Sequence, residues 1–223
     1  MKITLAARLT AEFLGTAFLV AAVVGSGVMG EKLSGGSVAI ALLANTIATG
    51  AALVALITAF ADISGAHFNP VVSLADAIEH RLLWRDAAAY VAVQVVGGVV
   101  GAVAAHAMFG LPAISLSMHP RHGWSLVFSE FVATFGLMVV IRGCSRLRSS
   151  MIPVAVGSYI TAAYCFTAST SFANPAVTIA RSLTNTFSGI QPADVPLFIA
   201  AQLLGGLAAI VLARLLAPVS PTT

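Results

Sequence analysis

Charge is what this chain has least of. Of its 223 residues only 9% are Asp, Glu, Lys or Arg, while 59% are hydrophobic. A soluble domain covers itself with roughly 25% charged residues, so a water-facing shell is excluded. Cysteine is almost missing as well. Cys144 and Cys165 both fall in apolar stretches, 21 residues and so about a full span apart, and no Cys/His cluster accompanies them. That spacing argues against a disulfide and a metal site, with buried filler as the reading of Cys165. No nucleophile–base pair, Gly-rich phosphate loop or catalytic carboxylate pair is found, so neither an enzyme nor a cofactor is expected. The net charge of +3 needs no nucleic-acid partner, because orientation accounts for the basic residues.

What the chain has instead is long runs without charge. They extend over 33–61, 87–120, 149–180 and 195–213, each near or above the ~18 apolar residues that nominate a spanning helix. Two further spans, about Leu9–Met29 and Trp124–Ile141, carry one acid each, Glu12 and Glu130. The first is too long for a signal peptide and lacks a small-residue cleavage site. Six spans in a lipid bilayer result. With both termini cytoplasmic, Lys2, Arg8, Arg81, Arg85, Arg142, Arg146, Arg148 and Arg214 fall inside, and only Lys32, Arg121 and Arg181 outside. This follows the positive-inside bias.

The chain also repeats itself. Ala11-Glu12-Phe13-Leu14-Gly15-Thr16 matches Ser129-Glu130-Phe131-Val132-Ala133-Thr134. Asn69-Pro70-Val71-Val72-Ser73 matches Asn174-Pro175-Ala176-Val177-Thr178, and Gln94-Val95-Val96-Gly97-Gly98 matches Gln202-Leu203-Leu204-Gly205-Gly206. The offsets are 118, 105 and 108, in the same order along the chain. One domain, 1–223, is therefore expected to hold repeats at about 8–110 and 123–217. Three spans per repeat force the halves into opposite orientations, so their equivalent elements meet at the midplane.

Asn followed by Pro is a strong helix start, since Asn caps free N–H groups and Pro at the first position loses nothing. From Asn69 to Glu79 is 11 residues, about 16 Å of helix, or half of a ~30 Å hydrocarbon core. The preceding Ile63-Ser64-Gly65-Ala66-His67 reads as non-helical backbone, tolerated at such depth only when it lines a wet cavity or is buried. Each repeat is thus expected to send in a loop and return a half-helix. The two positive dipole ends then face one point, repelling cations and protons while the Asn amides meet a neutral hydroxyl. The fold class is all-α membrane protein, with six spanning helices and two re-entrant half-helices.

The Glu-Phe-x-x-Thr starts, the Ser64-Gly65-Ala66-His67-Phe68-Asn69-Pro70 loop and the second Asn174-Pro175-Ala176 resemble the aquaporin/aquaglyceroporin (major intrinsic protein) family over essentially the whole chain. The run Thr167–Thr178 looks more narrowly like bacterial members linked to arsenic resistance. The resemblance implies one pore per subunit, a homotetramer and a bacterial inner (plasma) membrane location. It implies a passive channel for water, glycerol-like polyols and trivalent metalloid acids such as arsenous acid. The midplane would be Asn69, Pro70, Val71, Asn174, Pro175 and Ala176, with Glu12, Glu130 and His67 supporting the pore loops.

Two departures stand out. The first motif ends in Val71 rather than Ala, a modest packing change. The second motif is followed by Val177, where the family usually carries the arginine of a narrow outer filter. Counting from the motifs carries the other filter positions onto Thr49, Ala162 and Ser171. Thr49, Ala162, Ser171 and Val177 together imply a small, uncharged constriction, wider than a water-only filter. Arg181 lies one turn beyond Val177, ~6 Å further out, either repelling cations at the outer vestibule or anchoring at the interface. Gln94 and Gln202, beside their Gly pairs, read as small-residue helix contacts. A secondary transporter is the alternative, since broken helices in inverted repeats also build carriers. Ion-coupled carriers place an acid near the midplane, whereas Asp62, Asp76 and Glu79 cluster toward the cytoplasmic end.

Overall fold

A computed structural model describes residues 3–216. Its helices, in chain order, are α1 Leu5–Leu33, α2 Val38–Ser64, α3 Pro70–Ile78, α4 Trp84–Phe109, α5 Trp124–Leu147, α6 Ile152–Phe166, α7 Pro175–Arg181 and α8 Val195–Leu215. Six of these segments are long and apolar enough to cross a membrane; α3 and α7 are the two short ones. The protein is a multi-pass, all-helical membrane protein, with no strand among the described residues.

Where the helices stop follows local chemistry. The run 33–61 ends its helix late, at Ser64, because Gly65 closes α2 in the left-handed region at φ +88°. Ile63 and Ser64 are therefore helical, and non-helical backbone begins only at Gly65. The run 149–180 is split into the end of a spanning helix at Phe166, a loop, and α7. The run 87–120 divides at Gly110, after which the chain continues as an irregular loop to Gly123.

The repeats pack alike. In each, the first helix crosses the third spanning helix at a glycine: a Cβ on Gly97 would sit 2.5 Å from the Phe13 carbonyl oxygen, and one on Gly205 2.5 Å from that of Phe131. Backbones approach this closely only where no side chain intervenes. The α2–α6 crossing joins the halves, again at small residues, Gly50 and Gly157. Outward faces are apolar, with Phe18 60% exposed, which suits lipid and not water. Cys165 is on this exposed surface, so it does not fill the interior; α6 turns that face away from the bundle.

Basic residues cluster at one end of the bundle. The Arg8 Nη2 donates to Asp86 Oδ2 at 2.7 Å, Arg142 Nη1 donates to Asp76 Oδ1 at 2.8 Å, and Arg146 reaches the Leu216 carbonyl at 3.3 Å. Lys32 lies at the opposite end, over the ring of Phe109. Lys2 and the last residue of the second repeat, at 217, lie outside the described residues.

Candidate functional site

Two loops enter the bundle from opposite ends and stop at α3 and α7. Their backbones repeat each other: Ala66 and Phe68 have φ of +49° and +48°, and Ser171 and Ala173, 105 positions later, +48° and +47°. A left-handed conformation costs a non-glycine residue roughly 1–2 kcal/mol, so something must hold it. Two buried carboxylates do. Glu12 Oε1 accepts from Ser64 Oγ (2.6 Å) and the His67 amide (2.9 Å), and Oε2 from the Phe68 amide (2.7 Å) and Gln94 Nε2 (2.8 Å). Glu130 accepts from the Phe172 and Ala173 amides (2.9 Å each) and from Gln202 Nε2 (2.7 Å). Both acids are fully buried, and charge-assisted bonds of this kind are about twice as strong as neutral ones.

Gln94 and Gln202 are more than helix spacers. Each amide also donates to the hydroxyl of its half-helix, Gln94 to Ser73 and Gln202 to Thr178, at 2.9 Å. Each glutamine ties carboxylate, spanning helix and half-helix together. The signal was present in the sequence: a glutamine at matched positions of both repeats, buried in an apolar run, must find partners.

The half-helices meet at their amino ends. Asn69 Oδ1 accepts from the Val71 amide (2.9 Å), and Asn174 Oδ1 accepts from Ala176 (3.0 Å) and Val177 (3.3 Å). Each Asn amide then crosses to the other loop: Asn69 Nδ2 donates to the Ala173 carbonyl and Asn174 Nδ2 to the Phe68 carbonyl, both at 2.7 Å. An amide nitrogen has two hydrogens, so one remains on each Asn. Pro70 and Pro175 begin the two helices, and Val71 and Ala176 are buried behind them.

Both asparagines line one cavity of about 210 Å³, which touches Arg81 and Arg142 at one end and Arg181 at the other. Between them its wall is largely apolar, with Leu19, Leu53, Ile57, Leu137 and Ile160. At the end where α3 stops, His67 sits between Ser73 (Nδ1 to Oγ, 3.1 Å) and Asp76 (Nε2 to Oδ2, 3.2 Å). Arg142 bridges Asp76 and Glu79 there, at 2.8 and 2.5 Å.

Of the four positions counted as the outer filter, Thr49, Ser171 and Val177 are buried and line the cavity. Ala162 does not: it is exposed on the outer face of α6. Two residues on, Tyr164 turns inward, 3% exposed, its hydroxyl 3.3 Å from Thr49 Oγ1. A two-residue step on a helix moves a side chain by about 200°, which is why an error of that size in register reverses the face. The cavity wall beside Thr49, Ser171 and Val177 is therefore neither all small nor uncharged. Tyr164 brings a ring to it, and Arg181, 1% exposed, brings a guanidinium. Burial also excludes Arg181 as an interfacial anchor. Its Nε donates to the Ser188 carbonyl, and its Cζ lies 3.3 Å from the centre of the Phe172 ring. The guanidinium of Arg121, from the loop before α5, is 4.9 Å from the same ring; burial lowers its pKa from the ordinary guanidinium value.

A cavity that runs between the two ends of a six-span bundle, past paired half-helix starts, defines a membrane channel. A sequence model of the family described as "Major intrinsic protein" matches residues 1–171, and the chain belongs to that family, whose members are channels and not enzymes. The chain is 56% identical over 215 residues to aquaglyceroporin AqpS of Rhizobium meliloti, covering 96% of this chain and 92% of that one. It is 36% identical over 191 residues to aquaporin NIP1-4 of Oryza sativa, covering 82% and 68%. In fold it is similar to the X-ray structure of the Plasmodium falciparum aquaglyceroporin, with TM-score 0.72, 20% identity and 95% of each chain covered.

Proposed function

We propose that this protein is a passive channel for small neutral hydroxylated solutes, with water, glycerol-like polyols and trivalent metalloid acids such as arsenous acid as its substrates. The observation that carries the reading is the pair of asparagines, crossed onto each other's loops with one free amide hydrogen each, inside one cavity. Asn69-Pro70-Val71 and Asn174-Pro175-Ala176 form the midplane, where two half-helix dipoles, each worth about half an elementary charge, meet. A neutral hydroxyl accepts the free hydrogens there; a cation meets two positive ends. Glycerol and undissociated arsenous acid are both compact uncharged molecules with three hydroxyls, so one pore suits both. Thr49, Ser171 and Val177, joined by Tyr164, form the outer constriction. Glu12, Glu130 and His67 hold the loops. The likeness to a bacterial aquaglyceroporin supports polyol permeation and a bacterial plasma membrane. The Arg8, Arg81, Arg142 and Arg146 end then faces the cytoplasm, and the channel assembles as a homotetramer.

A carrier would need an uncommitted acid near the midplane. Glu12 and Glu130 are the acids at that depth, and both are occupied by backbone and glutamine donors. Stopped-flow swelling of proteoliposomes tests the proposal: water and glycerol flux should be downhill and non-saturating, and planar bilayers should show no unitary cation or proton current. Saturable or ion-driven flux would instead indicate a carrier.

A further inference from the structure

The outer constriction lacks the arginine that resemblance would put at Val177, yet it contains a guanidinium. Arg181 follows Val177 by one helical turn, so the two side chains leave α7 on the same side, ~6 Å apart along its axis. Arg181 is 1% exposed and forms part of the cavity wall. Its Nε is committed to the Ser188 carbonyl, but its Nη1 is buried without a hydrogen-bond partner among the described residues, and so is the Ser171 hydroxyl in the same wall. Two unpaired polar groups in one cavity wall call for an explanation, because buried polar groups are nearly always hydrogen-bonded. A permeating hydroxyl would supply the missing partner to both.

The arginine is also held in place. Phe172 lies under its guanidinium, and Phe172 is itself fixed by its amide bond to Glu130 and by an edge-on contact with Phe198 at 5.3 Å. The nearby acid, Glu130, is held by two amides and Gln202, and among the described residues no carboxylate forms an ion pair with Arg181.

We infer that Arg181 is the specificity-determining arginine of this channel, the fixed cation and hydrogen-bond donor of the outer constriction, displaced one turn outward from Val177. Seated on Phe172 in the cavity wall that also holds Ser171, it rejects protons and metal cations before they reach the asparagine pair, and it offers Nη1 to solute hydroxyls. The displacement leaves the Val177 level free of a guanidinium, so a hydroxylated solute is held one turn above the apolar gap that it must then pass. This inference rests on the channel reading above.

The test is proton permeability divided by water permeability, measured in proteoliposomes for wild type, Arg181→Gln and Arg181→Lys. Arg181→Gln keeps a donor for the Ser188 carbonyl but removes the charge. Its ratio should rise about tenfold or more, the size expected for one unit charge in a low-dielectric constriction. Arg181→Lys retains the charge near neutral pH, and its ratio should stay within about twofold of wild type at pH 6. Burial disfavours the charged amine, so that ratio should climb toward the glutamine value by pH 9, a profile that a packing role would not produce. Should Arg181→Gln fail to assemble, the lysine pH profile alone decides. A glutamine ratio equal to wild type, or a lysine ratio flat from pH 6 to 9, overturns the inference while leaving the channel intact. A wild-type protein that conducts neither water nor glycerol removes the channel reading, and this inference with it.

Discussion

The two pore loops share a backbone but not a chemistry. Both use alternating left-handed residues, a buried glutamate, a bridging glutamine and an asparagine cap. Beyond the caps they diverge. The first half-helix ends in an ionic net, where His67, Arg142 and Arg81 gather around Asp76 and Glu79. The second ends in Arg181 on an aromatic ring, its Nε on the Ser188 carbonyl and no acid among the described residues in an ion pair with it. The first loop also places a fourth donor, Ser64, on its glutamate; the second has no equivalent. Duplication thus conserved what closes the loops, while each mouth of the pore acquired its own electrostatics: balanced at one end, uncompensated and cationic at the other.

The sharpest way to break this comparison is to remove each glutamate. Either Glu→Ala change strands two loop amides and a glutamine, and losing one partner of a buried charged group costs about 3–5 kcal/mol. Both variants should lose all flux. Because Glu12 serves four donors and Glu130 three, Glu12→Ala should show the greater fall in unfolding temperature in detergent. A larger fall for Glu130→Ala would mean that the extra Ser64 bond carries no weight.

Next in size is Val177→Arg. It would place a second guanidinium one turn inside Arg181, narrowing the constriction and adding a donor fork. Water is small enough to pass and can bond to it, so its flux should drop less than about threefold; glycerol, larger in section, should drop tenfold or more on the usual scale of pocket discrimination. Stopped-flow light scattering on variant protein that still assembles measures both. Equal loss of the two fluxes would show that Val177 acts through packing and not as part of the filter.

Much of this was readable in the chain, and the parts that were not have physical reasons. Six spans and two half-helices follow from charge-free runs interrupted by Asn-Pro, because lipid forbids unpaired backbone and Asn-Pro permits a helix to begin. The asparagine pair and the glutamates could be picked out by repetition. The Gly pairs beside Gln94 and Gln202 explain a helix crossing without the glutamines, which masks the stronger signal, a buried glutamine's own need for partners. Ala162 failed for a different reason. Counting twelve residues back from Asn174 crosses the loop between Phe166 and Pro175, whose geometry no helical period describes. Residues inside a helix keep their register, as Arg181 does with Val177, whereas a count across a loop holds only where the loop length matches, as it does for Thr49 and not for Ala162.

The ionic net at the first mouth supports a smaller prediction. Arg142 is buried and Asp76 half-buried, and Asp76→Asn keeps the shape while removing the charge that Arg142 and His67 face. Arg142 keeps its contact with Glu79, so the expected cost is about 1–3 kcal/mol of stability, with glycerol flux reduced less than twofold. Since the second mouth has no such pair, the outer-constriction selectivity, read as the glycerol-to-water ratio, should not move. A shift in that ratio would show that the two mouths are coupled through the half-helices rather than independent.

A final pair of variants, one of them expected to change nothing, separates the two candidates for the α6 position of the filter. Ala162 faces outward, so Ala162→Val adds two methyl groups to a surface away from the cavity and should leave the water and glycerol fluxes unchanged within error. Tyr164 faces the cavity with its hydroxyl 3.3 Å from Thr49. Tyr164→Phe deletes that oxygen and keeps the ring, so the width of the pore is preserved and only a polar contact goes. Losing one neutral hydrogen bond costs about 0.5–1.5 kcal/mol, which corresponds to a fall in glycerol flux of roughly two- to tenfold, with water affected less because it can bond to Thr49 from another side. The two variants share a helix and sit two residues apart, so any general disturbance of α6 would change both alike. A glycerol defect in Ala162→Val with a normal Tyr164→Phe would mean that the helix is rotated by half a turn from the arrangement described, and the constriction would then have to be rebuilt around the smaller residue.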